Sequence, residues 1–195
     1  MSALGALALG ACGDDEPELV TGLPNHSYAG RVDGSDAYIG IFVDPAFDET
    51  PIGAFVFVTD GVEVAEWFTD SIEPGTTVLT SHDGDAELEL EGDPERFSGR
   101  FEPAEGDATD FEAPRVEFPA GLYDGYGELG GDEVQAGAVL LDDGSSRAAL
   151  LVAGEILPAT VSPRGTDEGG TSLGEHQLDL AYGDGDSTWR VRFRG

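Results

Sequence analysis

The sequence predicts an all-β protein built from antiparallel strands. From Ser27 onward, short runs rich in Val, Ile, Phe, Tyr and Thr alternate with Gly, Pro and Asp clusters at a spacing of about 8–12 residues. No stretch keeps the 3.6-residue apolar period of an amphipathic helix. We therefore expect meander strands that form two similar small β units, or one barrel or sandwich that uses both halves.

The first half contains about seven predicted strands, and two of them are apolar on both faces. The predicted ranges are 28–33, 37–43, 54–59, 62–68, 76–80, 86–91 and 96–102. In the second and third ranges, aromatic and aliphatic residues occupy both alternating sets, as in strands that are covered on both sides. We expect these two strands to form the contact between the halves.

The last two strands of this half are amphipathic and are joined by a predicted turn at 92–95. Leu88 and Leu90 face inward in the first of them, and Arg96 and Arg100 face outward in the second. Opposite charges across a hairpin contribute roughly 0.2–1 kcal/mol per pair. We expect the two arginines to pair with the outward glutamates Glu87, Glu89 and Glu91.

The second half repeats the pattern of the first, which indicates an internal duplication. Tyr28 is echoed by Tyr123, and further echoes follow in the same order with nearly constant spacing. They join 54–58 to 148–152, 87–90 to 177–180, and 100–101 to 192–193. Each half would then be a meander of about seven strands, and because small β units bury little surface alone, we expect the halves to pack together.

The final predicted strand alternates bulky and basic side chains. Trp189, Val191 and Phe193 form one set, which we expect to face inward. The other set consists of Arg190, Arg192 and Arg194. We expect these arginines to face outward and to pair with the strand around Asp179.

Changes in composition divide the chain into five predicted segments. They are a signal segment (1–11), an acidic tether (12–25), a first β unit (26–103), a linker (104–113) and a second β unit (114–195). The linker is assigned because its proline, glycine and acidic residues show no apolar spacing.

The chain is strongly acidic, with 40 Asp and Glu residues against 9 Lys and Arg, and a formal net charge of -31. All nine basic residues are arginine. Such a surface repels phosphate backbones, which excludes nucleic acid as an expected partner. Self-repulsion keeps the protein soluble and weakens its compact state at low salt, a balance typical of halophilic proteins. The alternative interpretation of the acidity is a set of calcium sites.

Two glycine-containing motifs match catalytic or cofactor fingerprints only as strings. Gly125-Tyr126-Gly127-Glu128-Leu129-Gly130 has dinucleotide-fingerprint spacing, but the expected context is a β-hairpin and not a strand that leads into a helix. Gly170-Thr171-Ser172-Leu173-Gly174 matches a nucleophile elbow, which also needs a strand before it and a helix after it. We interpret both stretches as turn or loop sequences.

Four aspartates are weak candidates for calcium ligands. Asp83 and Asp85 flank Gly84 in the first half, and Asp184 and Asp186 flank Gly185 in the second. Calcium takes six to eight oxygen ligands, and neither stretch supplies the full set of an EF-hand loop. Asp-Gly is also a preferred hairpin turn, so turn formation is the alternative role of these residues. No other cofactor is expected.

The histidines do not form a recognisable catalytic or zinc pattern. His26, His82 and His176 occur singly, whereas zinc sites need three or four ligands that are usually closely spaced. A pair of carboxylates for glycoside hydrolysis stays open as an alternative, because their separation is a three-dimensional property.

Leu9-Gly10-Ala11-Cys12 closes an apolar run and resembles the lipobox of bacterial lipoproteins. The resemblance implies cleavage before Cys12, the only cysteine, and attachment of a diacylglyceryl lipid to its sulfur. The apolar run is shorter than the roughly 20 residues needed to span a bilayer, so the implied attachment is an anchor. The expected location is the outer face of the cell membrane or another envelope membrane.

These observations predict a lipid-anchored, extracytoplasmic, non-enzymatic module at the cell surface. Its expected role is to bind a ligand or a protein, or to serve the envelope structurally. One alternative is an envelope hydrolase that uses clustered Asp and Glu residues, and another is a calcium-stabilised surface module. The sequence leaves the ligand and the oligomeric state open.

Overall fold

The computed structural model describes residues 26–44, 52–72, 75–93, 95–163, 177–183 and 187–194. Within these residues the chain forms fourteen β-strands and no helix, which confirms the all-β prediction. The strands are β1 (His26–Val32), β2 (Tyr38–Asp44), β3 (Ile52–Thr59), β4 (Ala65–Ile72), β5 (Thr76–Thr80), β6 (Glu87–Asp93), β7 (Arg96–Glu102), β8 (Thr109–Val116), β9 (Gly121–Leu129), β10 (Asp132–Leu140), β11 (Ser146–Val152), β12 (Glu155–Pro163), β13 (Gln177–Tyr182) and β14 (Ser187–Arg194). The described residues include no helical stretch with the length and hydropathy of a membrane span.

The first eight strands form one antiparallel sheet that curls into a nearly closed barrel. Its spatial order is β4-β3-β2-β1-β8-β7-β6-β5, so strands consecutive along the chain are neighbours except β4 and β5, and β8 returns to β1. In that return pairing Ser27 lies opposite Val116, and Val32 lies opposite Phe111. The two end strands, β4 and β5, meet at a single isolated bridge between Phe68 and Ser81.

The interior of this first barrel is packed with the inward set of alternating apolar side chains. Leu88 and Leu90 of β6 are fully buried, as the amphipathic pattern predicts. Phe68 meets Phe101 edge to face across the barrel, with ring centroids 6.3 Å apart. The barrel is therefore filled by its own core.

The last six strands, β9 to β14, form a second barrel that is fully closed. β14 closes it by pairing with β9, and the partners include Arg192 with Asp124. Val191 is buried in the interior and Trp189 packs against the same cluster. The indole of Trp189 lies across Gly127, where a Cβ atom would come within 2.8 Å of the ring. Gly125 and Gly127 of the dinucleotide-like string thus make room for the partly buried Trp189, whereas Gly130 lies in the turn after β9 with a φ of 68°.

The two barrels pack together through a third apolar cluster, to which β2 and β3, the strands that are apolar on both faces, contribute together with β1, β4 and β8. Phe57 of β3 stacks on Trp67 of β4, with ring centroids 4.3 Å apart. Gly137 of β10 lies against both rings, and the backbone N–H of Leu122 donates a hydrogen bond of 3.2 Å to the Ser27 hydroxyl. As predicted, β2 and β3 lie at the contact between the halves.

Several predicted boundaries differ from the observed ones. The expected linker at 104–113 includes the start of β8, which pairs with both β7 and β1. The first sheet therefore extends to Val116, because its barrel needs β8 to return to β1. The described parts of the halves hold eight and six strands in place of about seven each. In the first barrel β8 lies between β7 and β1, whereas in the second barrel β14 pairs directly with β9. The internal duplication stays a prediction.

The outward arginines pair with other strands than the sequence suggested. Arg96 lies 3.6 Å from Glu112 and Arg100 lies 3.4 Å from Asp110, so both ion pairs go to β8. β8 flanks β7 on the side opposite to the glutamate row of β6, and the sequence pattern had not revealed it as a strand. Arg190 does pair with Asp179, at 3.0 Å, as predicted.

Candidate binding cleft between the barrels

A cleft of about 860 Å³ opens where the two barrels meet. The first barrel contributes the β1–β2 turn and the β3–β4 turn, and the second contributes β11, β12 and the end of β13. Its lining residues include Asp36, Asp60, Glu63, Arg147, Thr160 and Tyr182. The volume lies within the range of about 300–1,000 Å³ that ligand pockets occupy.

Asp60 builds the β3–β4 turn that forms one wall of the cleft. Its carboxylate accepts backbone hydrogen bonds from Val62, Glu63 and Val64 at 2.8, 2.8 and 2.9 Å. Partial burial by itself raises the pKa of Asp60, but the amides of Val64, Val62 and Glu63 outweigh it and hold the pKa below its ordinary value. The carboxylate is thus ionised and committed to the turn, which makes it a structural group and a poor general acid.

Arg147 supplies positive charge to the cleft and is held on three sides. Its Nε donates to the carbonyl oxygen of Asp36 at 3.2 Å, and Nη1 donates to the carbonyl oxygen of Ser146 at 3.1 Å. Its guanidinium carbon lies 4.9 Å from the centroid of the Tyr38 ring. A guanidinium fixed in this way can hold a ligand acceptor at a defined position without first ordering a flexible side chain.

Tyr38 is the centre of a polar cluster that joins the two barrels beside the cleft. Arg31 also packs on the Tyr38 ring, with its guanidinium carbon 4.7 Å from the centroid, and donates to the hydroxyl at 2.7 Å. The hydroxyl in turn donates to Ser145 Oγ at 3.1 Å. Arg31 also pairs with Asp143 at 3.0 Å, so the β10–β11 turn is fastened to the first barrel. We call Arg31, Tyr38, Asp143, Ser145 and Arg147 the Tyr38 cluster.

The chemical groups in the described lining of the cleft are carboxylates, one guanidinium and several hydroxyl groups. Its described lining contains neither histidine nor cysteine. Across the described ranges, no three His, Cys, Asp or Glu side chains are grouped in a way that could hold a metal ion. With a fixed cation, carboxylates and a tyrosine beside apolar surface, the arrangement is chemically suited to holding a ligand.

The predicted calcium ligands Asp83 and Asp85 lie in a tight turn between β5 and β6, and neither lines the cleft. The Asp83 carboxylate accepts hydrogen bonds from the Ser81 hydroxyl and, at 3.2 Å, from the backbone N–H of Asp85. The Ser81 hydroxyl holds the pKa of Asp83 below its ordinary value, despite partial burial. His82 contacts Thr69, with Nε2 and Oγ1 3.1 Å apart. Both aspartates thus occupy a turn, the alternative role that the sequence offered.

The other sequence candidates fall in two groups. The dinucleotide-like string occupies β9 and its turn into β10, a purely antiparallel setting. Cys12, His176, the elbow-like string at 170–174, and the candidate ligands Asp184 and Asp186 lie outside the described residues.

The sequence interpretation missed the cleft residues, although two of them left local signals. Asp60-Gly61 is a common hairpin dipeptide, and it shifts the strand predicted at 62–68 to Ala65–Ile72. Arg147 opens an otherwise apolar run in β11. Only the packing of the barrels brings the two residues to one cleft.

No protein-family model, no curated protein and no solved structure matches this chain. The geometry of the site therefore carries the functional argument.

Proposed function

We propose that the chain is a lipid-anchored, extracytoplasmic β module that binds a ligand or a protein partner in the cleft between its barrels. The anchor rests on the resemblance of Leu9-Gly10-Ala11-Cys12 to a lipobox. The proposed location is the outer face of the cell membrane or another envelope membrane. The module acts by binding and not by catalysis.

The main support for a binding role at the cleft is that both barrel interiors are filled by side chains, which leaves the outer surfaces and the junction between the barrels to bind a ligand. Leu88 and Phe68 are fully buried in the first barrel, and Leu180 and Leu150 are fully buried in the second. A ligand carrier of the open-barrel kind keeps an empty interior, whereas a filled barrel offers its outer surface and its junctions. The cleft is such a junction, and its fixed Arg147 offers a ligand a positioned hydrogen-bond donor.

Nuclear magnetic resonance can test where ligands bind. Isotope-labelled full-length protein carrying Cys12→Ser would be titrated with soluble sugars, amino acids and aromatic acids. We expect amide shift changes around Arg147, Thr160 and Tyr182, which Tyr182→Ala removes. Tyr126→Ala, which alters a 61% exposed tyrosine outside the cleft, should leave them unchanged. Changes confined to core amides such as that of Leu88 would overturn the proposal.

The anchor is tested separately by replacing Cys12 with serine. The unchanged chain should sediment with bacterial membranes, because a lipid on the cysteine sulfur holds it there. The Cys12→Ser chain should move to the soluble fraction. Continued sedimentation of the variant with membranes would reject lipid anchoring and leave cleft binding to stand on its own test.

A further inference from the structure

The floor of the cleft is the outer face of three neighbouring strands of the second barrel. Ala148 of β11 lies opposite Ala159 of β12, and both contribute to the apolar interior of that barrel. Because side chains alternate across a strand, Arg147 and Thr160, which flank this pair, face outward and line the cleft. Thr160 in turn lies opposite Ala181 of β13. These three residues therefore form one row across the floor, with a spacing of about 5 Å from strand to strand.

Beside Arg147 the floor carries only compact side chains. Thr160 and Pro158 are the outward residues of this part of β12, and both are exposed. Ala181 adds a single methyl group to the same surface. A ligand with a flat carbon-lined face can lie directly on this floor, since no long side chain stands in its way and close contacts add up over the whole face.

The rim of the cleft offers hydrogen-bond donors from the second barrel and acceptors from the first. The Arg147 guanidinium carries five N–H groups, and its described hydrogen bonds, to the carbonyl oxygens of Asp36 and Ser146, use two of them. The first barrel contributes the carboxylates of Asp36 and Glu63, which are exposed turn residues that line the cleft. A ligand in the cleft thus meets both kinds of group.

Charge decides which ligand these groups select. The carboxylates of Asp36, Asp60 and Glu63 outnumber the one guanidinium of the lining. An anion could pair with Arg147, but these carboxylates and the net charge of -31 would repel it. A cation would pair with the carboxylates and would be repelled by the fixed guanidinium. A hydroxyl group both donates and accepts, so an uncharged ligand with several hydroxyl groups satisfies donors and acceptors together.

We propose that the cleft binds an uncharged sugar chain. A sugar ring has a hydroxyl-bearing edge, which would meet Arg147 and Glu63, and a carbon-lined face, which would lie on the floor formed by Pro158, Thr160 and Ala181. Pockets that combine apolar lining with a few placed polar groups are suited to such a ligand. This inference rests on the proposed function as a binding module and names the chemical class of its ligand.

The test compares uncharged sugars with charged ones of the same length. The uncharged probes are cellotriose, maltotriose and the trimer of N-acetylglucosamine, and the charged probes are the trimers of galacturonic acid and of glucosamine. Each is titrated into isotope-labelled full-length protein carrying Cys12→Ser. We expect at least one uncharged trimer to shift the amide signals of Arg147, Thr160 and Ala181, and the galacturonic acid trimer to bind at least about 10-fold more weakly.

Salt distinguishes recognition through hydroxyl groups from attraction between charges. Screening weakens charge–charge attraction steeply between about 0.05 M and about 0.5 M salt, but it does not act on an uncharged sugar. The dissociation constant of the uncharged trimer should therefore change by less than about 2-fold over this range.

Two exposed threonines provide matched protein variants. Thr160→Val removes a hydroxyl group from the floor and keeps the β-branched shape, so it should weaken binding of the uncharged trimer by about 3–10-fold, the value of one hydrogen bond. Thr80→Val makes the same change on β5, outside the cleft, and should alter the affinity by less than about 2-fold. Arg147→Lys keeps the charge and loses the planar fork, so it should weaken binding by about 10-fold. The amide spectrum of each variant shows whether it folds.

Three results would overturn the inference. The first is that no uncharged trimer shifts the amides of the cleft. The second is that Thr160→Val and Thr80→Val weaken binding equally, which would place the sugar elsewhere. The third is that the glucosamine trimer binds more tightly than its N-acetylated counterpart at about 0.5 M salt, where screening is strong, so that the carboxylates alone select the ligand.

Failure of the sugar class is distinguishable from failure of the proposed function. If an amino acid or an aromatic acid shifts the cleft amides and no uncharged trimer does, the sugar is rejected and binding in the cleft stands. Shift changes confined to core amides such as that of Leu88 would reject binding in the cleft itself.

Discussion

Arg194 is the residue that ties the two barrels together at the end of β14. Its Nη2 lies 2.7 Å from Asp124 Oδ2, and the two side chains are only 27% and 10% exposed. Its guanidinium carbon also lies 4.3 Å from the centroid of the Phe55 ring in the other barrel. The alternation of β14 predicted that Arg194 faces outward and pairs near Asp179. Arg194 does face away from the interior of the second barrel, but on that side it meets the first barrel.

Replacing Arg194 by Ala should therefore destabilise the protein by about 2–4 kcal/mol, because Asp124 loses a largely buried partner. Urea unfolding measures the change. Arg190→Ala is the matched control, since that arginine pairs with Asp179 at the surface, with side chains 51% and 24% exposed. It should cost less than about 1 kcal/mol. Similar losses in the two variants would contradict the special role of Arg194.

The contribution of Glu66 to the stability of the fold decreases as pH rises, whereas that of a carboxylate in an ion pair increases. Burial first, then the charge of Asp83, raise the pKa of Glu66, and its hydrogen bond with Ser81 only partly opposes this. A carboxyl group whose pKa is raised by folding favours the folded state when it is protonated. That contribution is present below the unfolded pKa of about 4.3 and is lost as pH rises through the folded value.

Glu66→Gln should consequently raise the melting temperature at pH 7 and have little effect below about pH 3, where Glu66 is protonated in both the folded and the unfolded state. Glu89→Gln removes the same charge from the exposed face of β6 and controls for net charge. If both variants stabilise equally at pH 7, relief of general repulsion would explain the gain, and the local effect at Glu66 would be rejected.

At the scale of elements, the fit between barrels depends on a glycine facing an aromatic stack. A Cβ atom at Gly137 would lie 2.5 Å from Phe57 and 2.6 Å from Trp67. Both rings are almost completely buried, so they have no free space to retreat into. β10 can approach the first barrel only because this position lacks a side chain.

Gly137→Ala should destabilise the protein by about 1–3 kcal/mol through overpacking. Denaturant unfolding followed by tryptophan fluorescence would measure the loss of stability. Adding Phe57→Leu makes room for the methyl group and should cost less in the Gly137→Ala background than in the native chain. Strictly additive losses would show that the two residues do not compete for the same space.

The elements show where sequence reasoning succeeds and where it stops. Leu88 and Leu90 were identified as core residues because burial on one face leaves a two-residue period. The strands covered on both faces were identified because both of their alternating sets are apolar. The same reasoning failed at β8, where Pro114 and charged residues hid a strand held by neighbours on both sides. The cleft was also beyond the sequence, since Asp60 and Arg147 meet only through the packing of two barrels.

For the whole molecule, the net charge of -31 sets the response to salt. The Debye length falls from about 30 Å at 0.01 M to about 3 Å at 1 M, which removes most of the repulsion between distant carboxylates. We expect the melting temperature to rise by about 5–10 °C across this range, equivalent to roughly 2–3 kcal/mol.

The same melting experiment with added calcium distinguishes charge screening by salt from the binding of calcium at a specific site. After chelation, millimolar calcium at constant ionic strength should raise the melting temperature no more than magnesium does. A larger rise with calcium that disappears in the Asp83→Asn, Asp85→Asn double variant would instead establish a calcium site in the β5–β6 turn.

β2 belongs to two cores at once, since its side chains from Tyr38 to Val43 are buried alternately inside the first barrel and between the barrels. Its amide hydrogens reach water only when both packings come apart. Hydrogen–deuterium exchange at the amides of β2 would therefore report how often the whole molecule opens. Exchange at β5, the end strand of the eight-stranded sheet, would report a more local opening.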